Sequence, residues 1–165
     1  MKKHLIPAFM LLAAWLWAGM IIGISFIEAP VKFTAPHVTL AIGLGIGRLV
    51  FGVMNKVEIG FCAILLSGLF FRKMPKNIWV TAGLITSVLA VQTAWLLPAL
   101  DVRALSVIAG ETPPPSNLHF VYVGLEFVKF GLLLVAGFQV LKAMVEPIKS
   151  LPIQQQNTFR KPVTI

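Results

Sequence analysis

Residues 37–71, HVTLAIGLGIGRLVFGVMNKVEIGFCAILLSGLFF, decide how many times this chain crosses a membrane. Their last part, 59–71, is apolar but only 13 residues long, about 20 Å as a helix and too short for a hydrocarbon core of ~30 Å. To span, the helix has to begin near Phe51 or Gly52, which draws Asn55, Lys56 and Glu58 towards the membrane. The glycine-rich part, 37–54, with Gly43, Gly45, Gly47 and Gly52, is then either a segment on the outer face or a span of its own. The rest of the chain sets the context for that choice. Of 165 residues 58% are apolar and 12% charged, with a mean hydropathy of +0.88. A soluble domain is about half apolar and about a quarter charged, so much of this surface faces something other than water. Disordered tails, collagen-like fibres and ordinary soluble enzymes are excluded.

Three further runs are apolar enough to cross, at about 5–28, 78–97 and 118–141. The first is too long for the apolar part of a signal peptide and lacks a small-x-small site before Glu28, so a retained span is expected. Loop charge then chooses between four spans and five. With four, at about 5–28, 52–71, 78–97 and 118–141, one side receives Lys2, Lys3, Arg72, Lys73, Lys76, Lys142, Lys149, Arg160 and Lys161. These nine bases against one acid, Glu146, equal the +8 net charge of the whole chain. Five spans would place the Arg72–Lys76 cluster opposite the N-terminus, against the positive-inside tendency. The sequence therefore predicts an all-α integral membrane protein, a four-helix transmembrane bundle with both termini cytoplasmic. A single transmembrane domain is expected over 1–147, followed by a short disordered cytoplasmic tail at 148–165.

On this reading 37–54 is a helix lying on or dipping into the outer face, and 98–109 is a second short outer helix ended by Gly110. Pro30 is expected to stop the first helix, with Glu28 and Lys32 close enough to pair. Thr112-Pro113-Pro114-Pro115 reads as an extended spacer, and Ser116 or Asn117 as the cap of the last span. Gly19 with Gly23, and Gly83 with Ser87, are small-x-x-x-small pairs suited to close helix contact, within the chain or in a homodimer. The bilayer is the expected surrounding. The basic residues sit beside apolar runs and do not interleave with aromatics, so no nucleic-acid partner is expected.

The last span carries the chemistry. His119, Tyr122, Glu126 and Lys129 fall within an arc of about 80° on one helical face, and charges inside a span face a bundle interior or a cavity. Glu28, Asn55, Glu58 and Gln92 come to similar depth from the other spans. A polar pocket in the outer half is therefore predicted from Glu28, Asn55, Glu58, Gln92, His119, Tyr122, Glu126 and Lys129. It would suit a small polar or cationic solute or a proton. Outside the basic side, five acids face five bases, so a structural set of internal ion pairs is the alternative.

No cofactor is predicted. The acid–base balance disfavours a metal, and His37 and His119 do not face each other as haem ligands should, so a metal- or haem-binding redox protein stays a third alternative. H-E-x-x-H, G-x-G-x-x-G and any Ser/His/Asp arrangement are absent, and the single Cys62 excludes a disulfide framework. The segment S-F-I-E-A-P-x-K-F at 25–33 resembles a group of small bacterial four-span inner-membrane proteins of unknown function. The likeness extends to Gly47-Arg48…Phe51…Asn55-Lys56-Val57-Glu58, to Leu97-Pro98-Ala99-Leu100-Asp101 and to Ser116…His119…Glu126…Lys129. It implies a bacterial inner membrane and no particular activity.

Overall fold

The computed structural model describes residues 2–149, which form four long helices and short connectors. The elements are α1 (Lys2–Met20), a π-helical segment (Ile21–Glu28), α2 (Ala29–Val31) and a 3-10 turn (Lys32–Thr34), then α3 (Leu40–Phe71). α4 (Lys76–Val91), a second π-helical segment (Gln92–Leu96), α5 (Leu97–Ile108) and α6 (Leu118–Lys149) follow. Four stretches are long and apolar enough to cross a membrane: Leu5–Thr34, Leu40–Phe71, Lys76–Ile108 and Leu118–Val145. The expected all-α four-span architecture is therefore present, and the protein is a membrane protein by its build. The tail expected at 148–165 overlaps α6 by two residues and otherwise lies outside the described residues.

The outer face differs from the expectation. Residues 40–54 are no separate surface or re-entrant helix; they are the first half of α3, one continuous helix of 32 residues and about 48 Å. The glycines there serve packing. Gly43 lies under the Phe33 ring, and a β-carbon at Gly47 would sit 3.1 Å from Lys32 Nζ, so the end of the first span rests on α3. The second outer helix exists as α5 but runs on from α4 through the π segment. All four helices thus project beyond an average bilayer or cross it tilted.

Pro30 and Pro98 do not stop their helices, and the reason is the same at both. A proline ring in a helix collides with the carbonyl four residues earlier. That carbonyl belongs to Phe26 for Pro30 and to Ala94 for Pro98, and both lie inside the widened π turns. There the Ala29 N–H bonds Ile24 O and the Leu97 N–H bonds Gln92 O, five residues back in each case. Each chain therefore passes its proline without breaking. α5 ends as expected at Gly110, whose φ of 86° is the left-handed conformation that suits glycine, with Gly110 N–H on Val107 O and Glu111 N–H on Ser106 O. The start of α6 is capped by Ser116, whose hydroxyl accepts from the Leu118 N–H at 3.2 Å.

The helices pack as a ring in which each touches its sequence neighbours and α6 closes onto α1. The inner half is an apolar core of Met10, Ala14, Leu65, Ile85, Leu133 and Val140, all at most 4% exposed. Around it, Phe9, Leu16, Val80, Phe127 and Phe138 point outward, as a lipid-facing belt requires. Hydroxyls in the belt bond their own helix, Ser87 to Gly83 O at 2.9 Å and Thr86 to Ala82 O at 2.8 Å. Gly19, Gly23, Gly83 and Ser87 are exposed, and a β-carbon at any of the three glycines would meet nothing within 4 Å, so these glycines are not sites of close approach by another helix of the chain. The close approaches are elsewhere: Gly68 faces Met10, and Gly137 faces the Trp15 indole.

Two outcomes follow from this packing. In sealed vesicles, single cysteines replacing Lys73 and Glu111 should react with an impermeant maleimide from opposite sides, because 72–75 and 109–117 connect opposite ends of the bundle. Gly137→Ala should lower thermal stability by about 1–3 kcal/mol through overpacking against Trp15, whereas Gly83→Ala, open to lipid, should leave the melting midpoint nearly unchanged.

Candidate functional site

A charged cluster is sealed between the four spans. Lys129 Nζ lies 2.6 Å from Glu58 Oε1, 2.7 Å from Glu126 Oε1 and 2.7 Å from Gln92 Oε1. Three donors from one ammonium to three acceptors satisfy the lysine completely. Glu58, Gln92, Glu126 and Lys129 are all at most 1% exposed. Each comes from a helical position that its own periodicity turns inward. Glu126 and Lys129 are one turn apart on α6, Glu58 lies between the buried Met54 and Cys62 on α3, and Gln92 follows Ile85 and Leu89.

The surrounding donors fix the geometry. Gln92 Nε2 donates to Glu126 Oε1 at 2.8 Å while its Oε1 accepts from Lys129. Only this amide orientation serves both neighbours, since the reverse would set an NH2 against an ammonium and an oxygen against a carboxylate. Trp17 Nε1 donates to Glu58 Oε1 at 2.8 Å, and its indole ring lies 5.9 Å from Lys129 Nζ, within cation–π range. Ser25 Oγ donates to Glu126 Oε2 at 3.0 Å. The buried Tyr122 hydroxyl also hydrogen-bonds Glu126, one turn towards the outer end, and its ring meets Phe51 edge-on at 5.6 Å.

The π turns aim two of these side chains. Ser25 sits within the first π segment and Gln92 opens the second, so both π segments deliver a hydrogen-bond donor to Glu126. Such turns recur at functional sites because they re-aim side chains without ending a helix.

Of the eight residues expected to gather, five do: Glu58, Gln92, Tyr122, Glu126 and Lys129. Three do not. His119 lies on the predicted arc but is exposed, two turns outward of Glu126, with its ring beside Phe120. Glu28 pairs with Lys32 at 3.3 Å, nearer the outer end. Asn55 Nδ2 donates to Thr93 Oγ1 at 2.8 Å, joining α3 to the second π segment outside the cluster. Trp17 and Ser25 are members that sequence reasoning missed. The inward placement of Trp17 could have been read from the spacing of Met10, Ala14, Trp17 and Ile21, and Ser25, four residues beyond Ile21, continues that face.

Glu58, Gln92, Glu126 and Lys129 themselves fill the cluster and are at most 1% exposed. Cavities of about 370 and 260 Å³ lie elsewhere, the first lined by residues such as Met20, Ile24 and Val53, the second by Ile6, Phe9 and Ile64. Among the described residues no three His, Cys, Asp or Glu converge as metal ligands, and the Lys129 ammonium occupies the space between the two carboxylates.

Substitution should rank the partners. Lys129→Met leaves two carboxylates buried together and should cost about 3–5 kcal/mol of stability, measured by thermal unfolding in detergent. Glu58→Gln or Glu126→Gln leaves one acid against one base and should cost about 1–2 kcal/mol. No protein-family model, curated protein or solved structure matches the chain.

Proposed function

We infer that this is a membrane protein that binds a proton in its outer half, at the Glu58–Glu126–Lys129 cluster. The carrying observation is the count of charge in a sealed space: two carboxylates surround one ammonium, all at most 1% exposed. With both acids ionised the cluster holds a net negative charge out of reach of water, which costs several kcal/mol. One proton on the carboxylate pair makes it neutral. A larger polar or cationic solute is less well served, because the polar groups bond one another across 2.6–3.0 Å and leave no vacant volume between them.

Polarity along the bundle argues for access from the outer end. Tyr122 and Ser25 contact Glu126 from that direction, and Glu28 lies one further turn outward on the Ser25 helix. Towards the other end the axis is filled by Leu65, Leu69, Ile85 and Leu133. That end carries Arg72, Lys73, Lys76 and Lys142, which the positive-inside tendency places in the cytoplasm of a bacterial inner membrane. A proton arriving from the opposite compartment would reach Glu126 and stop, the behaviour of a sensor or of one half of a coupled transport path.

The second reading is a structural ion-pair anchor, favoured by the completeness of the bonding around Lys129. Infrared difference spectroscopy in lipid nanodiscs separates the two. Proton binding requires a protonated-carboxyl stretching band that bleaches as pH rises, and that Glu58→Gln or Glu126→Gln removes or shifts. A carboxyl spectrum unchanged with pH while the protein stays folded would refute proton binding and leave the anchor.

A further inference from the structure

We propose that the proton bound by the cluster is held on Glu58, at Oε2, while Glu126 stays ionised. This assignment rests on the proton-binding reading above and adds to it the atom that takes the proton. Both carboxylates lie against Lys129, so net charge alone does not tell them apart. Their other partners do. Glu126 is bonded on both oxygens. Its Oε1 accepts from Gln92 Nε2 at 2.8 Å and from Lys129 Nζ at 2.7 Å, and its Oε2 accepts from Ser25 Oγ at 3.0 Å. The Tyr122 hydroxyl gives the same carboxylate a further hydrogen bond. Glu58 is held on one side only. Trp17 Nε1 donates to its Oε1 at 2.8 Å, Lys129 Nζ lies 2.6 Å from the same atom, and among the described residues no donor reaches Oε2. Hydrogen bonds donated to a carboxylate favour its charged form, and Glu126 receives the fuller set.

The same bonds determine where a proton fits. On Glu126 Oε1 it would displace the Gln92 amide, which cannot turn over because its own oxygen accepts from Lys129 at 2.7 Å. On Glu126 Oε2 it would take the place of the Ser25 hydrogen. That hydroxyl would be left the Met54 sulfur, a weak acceptor 3.8 Å away. On Glu58 Oε2 a proton displaces nothing, and Oε1 keeps both its contacts as the carbonyl oxygen of the neutral acid.

The groups around Glu58 leave this choice in place. α6 faces it with Lys129, Glu126 and Tyr122, while the members of the cluster from the first and third spans, Trp17 and Gln92, carry no charge. On α3 itself Cys62 lies one turn inward with its Sγ 3.4 Å from Thr86 Oγ1, and Lys56 is exposed on another face. Glu58 is also the residue through which α3 holds Lys129. A proton there replaces an ion pair between two spans by a contact to a neutral acid, whereas Lys129 keeps its bonds to Glu126 and Gln92. Proton uptake therefore bears on the seat of α3, and a proton that enters past Glu126 comes to rest across the lysine from it.

The test is made on the full-length chain in lipid nanodiscs by infrared difference spectroscopy. A protonated carboxyl absorbs at lower frequency when its carbonyl oxygen accepts a hydrogen bond, so variants lacking one donor each locate the proton. Trp17→Phe should shift the band to higher frequency, and Ser25→Ala and Tyr122→Phe should leave its position unchanged. Solid-state NMR reads the same point without a substitution, on wild-type protein labelled at the glutamate carboxyl carbons and the tryptophan indole nitrogens. The protonated carboxyl carbon should be dipolar-coupled to the Trp17 indole, and this measurement decides where Trp17→Phe does not fold. A band that moves in Ser25→Ala or Tyr122→Phe, or that stays in place in folded Trp17→Phe, would overturn the assignment. So would a protonated carboxyl carbon without the indole coupling. Each of these outcomes leaves proton binding standing and moves the proton off Glu58. A wild-type protein with no protonated carboxyl at any pH is the separate failure, which removes proton binding and this assignment together.

Discussion

An ammonium group in the middle of a lipid-embedded bundle has to find all its acceptors within the protein, and Lys129 finds them on three different spans. Its own helix gives Glu126, α3 gives Glu58, and the second π segment gives Gln92. The first span joins through Trp17 and Ser25, which bond the two carboxylates from the other side. Polar contacts are directional where apolar contacts are not, so this one layer fixes the rotation and depth of every helix relative to the others. Losing Lys129 strands two carboxylates, and an uncompensated buried charge costs more than the pair ever contributes.

Above and below that layer the bundle changes character. Inward, small and branched side chains such as Ala14, Ala136, Leu133 and Ile85 interlock without a polar atom between them, and nothing there specifies register as sharply. Outward, paired charges return at the ends of the extended helices, Arg48 with Asp101 and Lys32 with Glu28, partly exposed and nearer water. The Lys32 ammonium also lies 5.6 Å from the Phe51 ring centroid, and Phe51 in turn meets Tyr122. Polar and aromatic contacts thus connect the outer surface to the cluster, while the axis of the inner half is filled by apolar side chains such as Leu65, Ile85 and Leu133.

Much of this was legible because charge inside an apolar run is rare and expensive. Glu126 and Lys129 stood out in the last span, and Glu58 and Gln92 followed from depth alone. The four-span architecture came from the one-sided distribution of Arg72, Lys73, Lys76 and Lys142. The failures have a common cause: local rules were applied where tertiary geometry overrides them. Pro30 and Pro98 read as helix ends because a proline ring needs room, and the π turns supply that room. The glycines of 43–52 read as part of a separate helix on the outer face, yet Gly43 and Gly47 are flat seats for Phe33 and Lys32 on a continuous span. His119 satisfied the angular criterion, but an arc says nothing about how far along its axis a helix remains covered.

The π turns also bear on how such a chain tolerates change in length. A π turn is an α-helix that has absorbed one surplus residue as a local bulge, and the helix on either side keeps its phase. Buried positions on the third span run 78, 81, 82, 85, 89 and 92 with the ordinary repeat, then 96 and 104, so that Gln92 to Ala104 takes twelve residues where three regular turns take about eleven. Removing one residue from Gln92–Leu96 would restore regular winding and still present Ala104 to the bundle, at the expense of the aim of Gln92. Positions forgiving of a single deletion therefore lie in mid-membrane as well as in the connectors, and an alignment of related chains that allows gaps only in loops would slip out of register beyond them.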